Sequence, residues 1–423
     1  MNQFLPFHGT RYNSEKVQPK NVVSPPYDVI SPAYQEELYA KDPHNVVRLE
    51  LNHDSDPYTC AKNYLDEWKA KGVLLADSSP AFYVYYQTFK TPSGEQVTRR
   101  GVLGRLRVTP YSTGDVLPHE RTLSGPKKDR MQLLSITETN LSPIFGLIDD
   151  SALIFDHTID SVVANPPLAD IDEALKNVDT IRHTMWKLSD PAQVTRLEKL
   201  LASKKVIIAD GHHRYETALA YGEEHPENEA AQYIMIFIAN LHSEGTVILP
   251  TYRILYGKKD FNQFKFIADL KKDFSIEIMN SRDEGMSHLA SDLNALTLIQ
   301  MPEEPKYVLA KDTSDLSKSS ALDKLAVYRL HEKILKPIAG LTQTEIDNKT
   351  SLLYPHTLPE LDSMLIEHEY DAAFILGPTS PQEVIDVTAS GEFMPQKSTY
   401  FYPKLLSGLV FYEFGEQGVL SFD

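Results

Sequence analysis

The sequence predicts an α+β fold, in both halves of its 423 residues. Three observations carry that expectation. Two aromatic, β-branched runs, Ala81 to Lys90 and Thr98 to Thr109, flank Pro92-Ser93-Gly94 and read as a β-hairpin. The apolar run Lys205 to Ala209 ends at Asp210-Gly211 and gives way to a helix-like pattern from Arg214 to Tyr221, a strand, a turn and a helix. Past Gly257 the alternation continues, with helical spacing over Phe261 to Phe274 and strand-like runs at Lys306 to Ala310 and Ala372 to Leu376.

The remaining elements follow in order. From Val22 to Ser31 the chain reads VVSPPYDVIS, where Pro25 and Pro26 remove backbone donors and impose an extended path, so this stretch is a rigid loop. Pro32 suits a first helical position, and helices are expected from there to Ala40 and from Tyr58 to Lys71, with HNVVRLELN between them as a strand. Lys127 to Thr139 is read as a helix and Ser142 to Ile148 as a short buried strand, followed by a helical and loop region. Gln232 to Asn240 and Thr246 to Leu255 supply two more strands, and Asp323 to Leu335 a helix. A chain of this length exceeds the roughly 250 to 300 residues at which single cores stop growing. Two regions are expected, 1–256 and a C-terminal α+β region over 257–423, with the divide at the polar Gly257-Lys258-Lys259.

Composition narrows the function. Apolar residues make up 42% and charged residues 24%, enough to build a core without outside help. The net charge of −17 opposes non-specific attraction to nucleic-acid phosphates and anionic lipid, so a nucleic-acid partner is not expected. The one cysteine, Cys60, permits neither an intramolecular disulfide nor a cysteine-rich zinc site. Together with the lack of a signal-like start or an apolar run long enough for a membrane span, this points to a cytoplasmic protein without a membrane partner. His212 and His213 are adjacent, unlike the i, i+4 ligands of HExxH, and neither a Walker lysine motif nor GxGxxG occurs.

What remains points to phosphate. Asp210, Gly211, His212, His213 and Arg214 bring an acid, a flexible backbone position, two imidazoles and a guanidinium to a turn opening a helix, where free N–H groups favour anions. A second cluster holds His119 and Glu120, then Lys127, Lys128 and Arg130; a partly buried carboxylate there can take a proton while the cations neutralise transferring phosphate. Near the end, Lys397 and Lys404 stand among aromatics, and Lys397 is the preferred ligand contact of the two.

The blocks SPPYDVI, VLPHERTLSGPKKDR, NLSPIF, IADGHHRYETAL, LPTYR and MPQKSTYFYPKLLSGLVF, in this order, resemble the DUF1015 family over nearly the whole chain. The ADGHHR block is also similar to the phosphate-binding turn of the ParB/sulfiredoxin superfamily, and to free-serine kinases of that fold carrying a DGHHR-type motif. The resemblance implies a ParB/sulfiredoxin-like mixed sheet core with helices, and a phosphotransferase that converts free L-serine to O-phosphoserine. It implies Glu120 as the base, Asp210 and His212 as further catalytic groups, and Gly211, His213 and Arg214 as phosphate contacts, beside which the basic Lys127, Lys128, Arg130 and Lys397 are expected as further phosphate or donor contacts. His119, Thr251 and Arg253 fall to the acceptor. The donor is ATP, ADP or pyrophosphate, with Mg²⁺ offsetting its charge. One departure stands out: where the family reads PTHR, this chain reads Pro250-Thr251-Tyr252-Arg253. A nucleotide-binding regulator or adaptor, which would bind without consuming donor, and a phosphoester hydrolase, which would consume donor without acceptor, are the competing readings.

Overall fold

The computed structural model describes residues 3–120, 124–173, 180–292, 294–415 and 421–422. The chain forms two compact units: one of residues 1–118, 122–247 and 403–423, the other of 119–121 and 248–402. The sequence placed its divide later, at 256, and as a single cut. Both units mix helices with sheets, so the α+β class holds throughout.

In the first unit a nine-stranded mixed sheet runs in the order Val116–Pro118, Val206–Asp210, Ile144–Ile148, Tyr233–Asn240, Gln96–Arg107, Phe82–Lys90, Ile181–Leu188, Ala169–Glu173, with Phe4–Leu5 against Gln96–Arg107. The expected hairpin is there: Lys90 faces Gln96, and Gly94 at φ 85° supplies the left-handed position its turn requires. Phe82, Val84, Val102, Ile144, Ile236 and Tyr215 bury one face of the sheet into a common core. A second cluster gathers around Leu65 and Trp68 of the helix Pro57–Ala70, which Asp56 caps and in which Ala61, Leu65 and Trp68 recur at helical spacing.

The second unit is built on an all-antiparallel six-stranded sheet, ordered Phe274–Met279, Tyr307–Asp312, Ala295–Gln300, Ala372–Ile375, Arg253–Leu255, Leu352–Leu353. Tyr252, Ile254, Leu298, Leu309, Leu361 and Ile375 form its core.

Four expectations need correcting. HNVVRLELN contains a short helix, Val47–Glu50, instead of a strand. The Asn45 side chain starts it by accepting from Val47 N at 3.0 Å while donating to the carbonyls of Asn21 and Val23, a local bond set that outcompetes strand propensity. The run Thr246 to Leu255 is two strands, Val247–Leu249 and Arg253–Leu255, separated at Pro250. Asp323 to Leu335 is interrupted at Leu325, and its last turn, Leu330–Leu335, is a π-helix. The region after Ile148 also contributes two sheet strands, Ala169–Glu173 and Ile181–Leu188.

Candidate functional site

In the first unit the strand Val206–Asp210 passes through Gly211 into the helix His212–Glu224, as the alternation of apolar run and turn residue predicts. Gly211 sits at φ 93°, and a Cβ there would lie 2.7 Å from Ile144 Cγ2, so both conformation and space require glycine. Arg214, one turn into the helix, reaches back: Nη2 donates to Asp210 Oδ2 at 3.0 Å, and Nη1 donates to Ser142 Oγ at 3.0 Å and to the Pro143 carbonyl at 2.8 Å. The other Asp210 oxygen accepts from Lys404 Nζ at 2.6 Å. Burial pushes the Asp210 carboxyl up, but the facing charges of Lys404 and Arg214 outweigh it and hold the group well below the ordinary carboxylate range.

More cations gather around this turn. Arg99 is fully buried; it donates to Gln87 and to the Pro403 carbonyl, its Nη1 has no partner among the described residues, and burial lowers its guanidinium to about 10 while Tyr85 and then the charge of Asp210 oppose that. Gln87 donates to the Lys404 carbonyl at 2.8 Å, so Gln87 and Arg99 together clamp the backbone that carries Lys404. Arg130 donates twice to the Glu50 carbonyl at 3.2 Å and lies over the Tyr27 ring at 4.0 Å. Glu50 and Arg130 join Arg214, Ser142 and Thr217 in lining a cavity of about 50 Å³, where the buried Thr217 Oγ1 has no hydrogen-bond partner among the described residues. Lys127 pairs with Glu216, and Lys128 is exposed. Four blocks far apart in sequence thus meet: SPPYD through Tyr27, PKKDR through Arg130, DGHHR through Arg214, and the C-terminal block through Lys404.

The second unit holds a separate group. Glu120 pairs in a parallel bridge with Met394, and its Oε1 accepts from Ser398 N at 3.1 Å. His119 is buried, with Nε2 2.8 Å from Thr399 Oγ1 and 3.7 Å from Glu120 Oε1. Arg253 is 1% exposed and donates to two carbonyls, those of Thr251 and of Lys397, the latter at 2.9 Å. Its Nε has no hydrogen-bond partner among the described residues. Burial pulls this guanidinium down to about 10, against the favourable charges of Tyr354 and Glu120. Thr251 Oγ1 stands 3.1 Å from His356 Nδ1, and the His356 ring stacks on Tyr400 at 3.7 Å. His331 is also buried here, Nε2 unpartnered, its basicity depressed by burial and then by Arg253.

Compared with known families, the chain matches the one described as "Protein of unknown function (DUF1015)" over residues 4–331. The chain belongs to the DUF1015 family. No curated protein matches this DUF1015 protein in sequence. Among solved structures it is similar to a mutant free serine kinase in complex with AMP, at 12% identity and TM-score 0.37, covering 74% of this chain and 92% of that one. A conserved hypothetical protein from Pyrococcus furiosus is similar at 13% and 0.36, covering 70% and 93%. SbnI from Staphylococcus aureus, with a C-terminal truncation, is similar at 11% and 0.35, covering 72% and 85%. At such identities and scores no residue role transfers from them.

The residues expected at a site therefore divide between the units of the DUF1015 protein. Asp210, Gly211, His212, His213, Arg214, Lys127, Lys128 and Arg130 belong to the first, and His119, Glu120, Thr251, Arg253 and Lys397 to the second. Lys397 enters through its carbonyl, at a left-handed φ of 61°, while Lys404 carries the charge at Asp210. Arg99 and Glu50 were not anticipated. The alternation Val97, Arg99, Gly101, Leu103 on the buried face of one strand is the signal that finds Arg99. Tyr252, the departure from PTHR, packs 5% exposed in the apolar core between Thr251 and Arg253, whose side chains take the opposite face of the chain. A resident Mg²⁺ does not fit these residues: both Asp210 oxygens already carry cations, and no trio of His, Cys, Asp or Glu among the described residues is placed to hold a metal ion. No helix among the described residues is long and apolar enough to cross a membrane.

Proposed function

We propose that this DUF1015 protein is a phosphotransferase that moves a phosphoryl group from a nucleotide or pyrophosphate to the hydroxyl of a small metabolite, free L-serine foremost. The observation that carries the reading is the Gly211 turn: a 13-residue helix opens directly behind a strand, with Arg214, Lys404, Arg130 and Arg99 set around Asp210 and Glu50, and Arg130 further paired with Asp129 at 2.5 Å. Three guanidinium groups and one ammonium converging at a helix start suit a polyanion. Asp210 fixes Lys404 and Arg214 in direction, and its charge holds the proton on Arg214. The unpartnered Thr217 hydroxyl in the adjoining cavity is a further polar group available to a ligand.

Transfer of a phosphoryl group asks for positioning and charge stabilisation, and no covalent enzyme intermediate. The acceptor oxygen forms its bond to phosphorus as the donor's bridging P–O bond breaks, and the hydroxyl proton must leave. The family resemblance gives that proton to Glu120. Glu120→Gln is then expected to lower turnover about 10²- to 10⁴-fold, the usual range for a general base, with donor binding unchanged. Equal loss of binding and turnover would remove Glu120 from that role.

Phosphorus NMR of the purified protein with Mg²⁺ and L-serine, given ATP, ADP or pyrophosphate in separate tubes, tests the whole reading. A phosphoserine resonance in one tube is the expected result and names the donor. Donor loss independent of serine would make the protein a hydrolase, and binding without any consumption would make it a regulator.

A further inference from the structure

The second unit contains a cleft that the phosphate site does not use. It encloses about 20 Å³ at the back of a volume of about 290 Å³ counted to its open mouth, and it is lined by Thr251, Arg253, Thr379, Glu383 and Ser398 with Val327 as an apolar wall. Arg253, Thr251 and Ser398 are each more than nine-tenths buried. All of these residues belong to one unit.

The polar groups of this cleft are unbalanced in a specific way. Among the described residues Arg253 brings the one positive charge of the lining, its buried N–H at Nε has no acceptor, and no carboxylate is hydrogen-bonded to it. Besides the Thr251 and Lys397 carbonyls it has the Tyr354 ring at 5.6 Å and the charge of Glu120 acting on it, without a bonded carboxylate; such a buried guanidinium favours an arriving anion, and a planar carboxylate matches its fork. The hydroxyls are set the other way. Thr379 Oγ1 donates its hydrogen to the Ser398 carbonyl at 2.9 Å, and Ser398 Oγ donates to the Pro395 carbonyl at 2.5 Å. Both oxygens therefore present lone pairs, which take a donor and repel an acceptor. Glu383 caps the helix Pro381–Ser390 through Oε2 alone, accepting from Ser380 N at 2.7 Å and Ser380 Oγ at 2.8 Å, which leaves Oε1 for a ligand cation.

A ligand that meets both demands carries a carboxylate and an ammonium a few ångströms apart and little else. We infer that this cleft binds the head group of a small free α-amino acid, its carboxylate on Arg253 and its ammonium on Glu383, Thr379 and Ser398. The enclosed 20 Å³ holds about one water-sized group, the place of the carboxylate, by the measure of roughly 10–15 Å³ per water. Glu120, whose Oε1 accepts from Ser398 N, stands beside this head group. That the amino acid is the phosphoryl acceptor rests on the reading above; that it binds does not.

Calorimetric titration of the full chain without any phosphate donor tests this directly, with L-serine, glycine and L-alanine as probes and N-acetyl-L-serine and L-serinamide as blocked forms. At least one free amino acid is expected to bind, and removal of either charge, by acetylation or amidation, to weaken L-serine at least tenfold. Glu383→Gln and Thr379→Val are expected to weaken the free amino acid at least fivefold while pyrophosphate binding and the melting temperature stay as in the parent. Blocked forms that bind as well as L-serine, or a chain that takes up none of the three amino acids, would overturn the assignment. Because no donor is present, amino-acid binding without phosphoserine formation would keep the cleft and discard the kinase, and phosphorylation of a hydroxyl compound with no amino-acid binding would do the reverse.

Discussion

Arg214 and Arg253 are both nearly removed from solvent, and they are held in opposite ways. Arg214 meets a carboxylate, Asp210, and two further oxygens; burial lowers its guanidinium, yet the charge of Asp210 more than restores it, and its proton is held more firmly than in water. Arg253 hydrogen-bonds only backbone carbonyls among the described residues, lies over the Tyr354 ring at 5.6 Å, and is pulled down to about 10 by burial against the charges of Tyr354 and Glu120. A buried cation with a bonded carboxylate is part of a settled electrostatic unit, whereas one without it retains a demand for negative charge. At Asp210 the cations are organised in advance; Arg253 in the second unit, like Arg99 in the first, has no carboxylate hydrogen-bonded to it among the described residues.

Removing the carboxylate from the settled unit is expected to have the largest effect. Asp210→Asn strands Lys404 and Arg214 against each other, and breaking a buried pair from one side costs roughly 3–5 kcal/mol. Asp210 retains 21% exposure of its side chain, so about 3 kcal/mol is expected in urea unfolding. The pH dependence has a definite sign. The folded carboxyl lies below its unfolded value of about 3.9, so its stabilisation is fully present above that pH and fades as pH falls through the folded value. The parent and Asp210→Asn should differ by a constant amount from pH 7 to about 5 and converge below about 4. A gap that already closes near neutrality would show that the Asp210 charge is not what holds the turn.

Arg253→Met is the matching change in the second unit, with a smaller expected effect. Two carbonyls lose a charged donor, but a buried charge without a bonded carboxylate disappears with it, so a net loss of about 1 kcal/mol is expected in the same unfolding experiment. A loss as large as that of Asp210→Asn would mean that Arg253 is already satisfied within the fold, and would erase the contrast.

Much of this was legible before any coordinates. The hairpin around Gly94 and the strand, turn and helix through Gly211 each combine hydrophobic period with a residue type the turn demands, and both appear where expected. Ala169–Glu173 escaped because ADIDE carries only one buried apolar side chain; it pairs with Ile181–Leu188, where Arg182 answers Asp170 across the strands at 2.6 Å. Lys404 was ranked below Lys397 because its partner lies 194 residues away, and nothing local marks a long-range ion pair. The local pattern around Lys397 showed a lysine among aromatics, but not that its backbone, at positive φ, would be the part engaged. Periodicity reports which face a residue takes; it does not report what waits on the other side.

Tyr252 provides the smallest effect and a sharp distinction between its neighbours. Thr251 and Arg253 line the cleft, and the residue between them must face away in an extended strand entry, where Tyr252 packs against Ile254, Leu298 and Ile375. Burial raises its phenol, with the Arg282 charge opposing, so the group stays neutral at working pH and has no proton to give up there. A phenol in that position contributes shape more than chemistry. Tyr252→Phe keeps the ring volume and should change stability by less than about 1 kcal/mol, the net worth of a single hydroxyl contact. Amino-acid titration and phosphoserine formation should both be unchanged. If turnover fell while binding and stability held, the phenol would be taking part in the reaction from the core side of the strand, and the place where this chain departs from PTHR would be functional instead of a matter of packing.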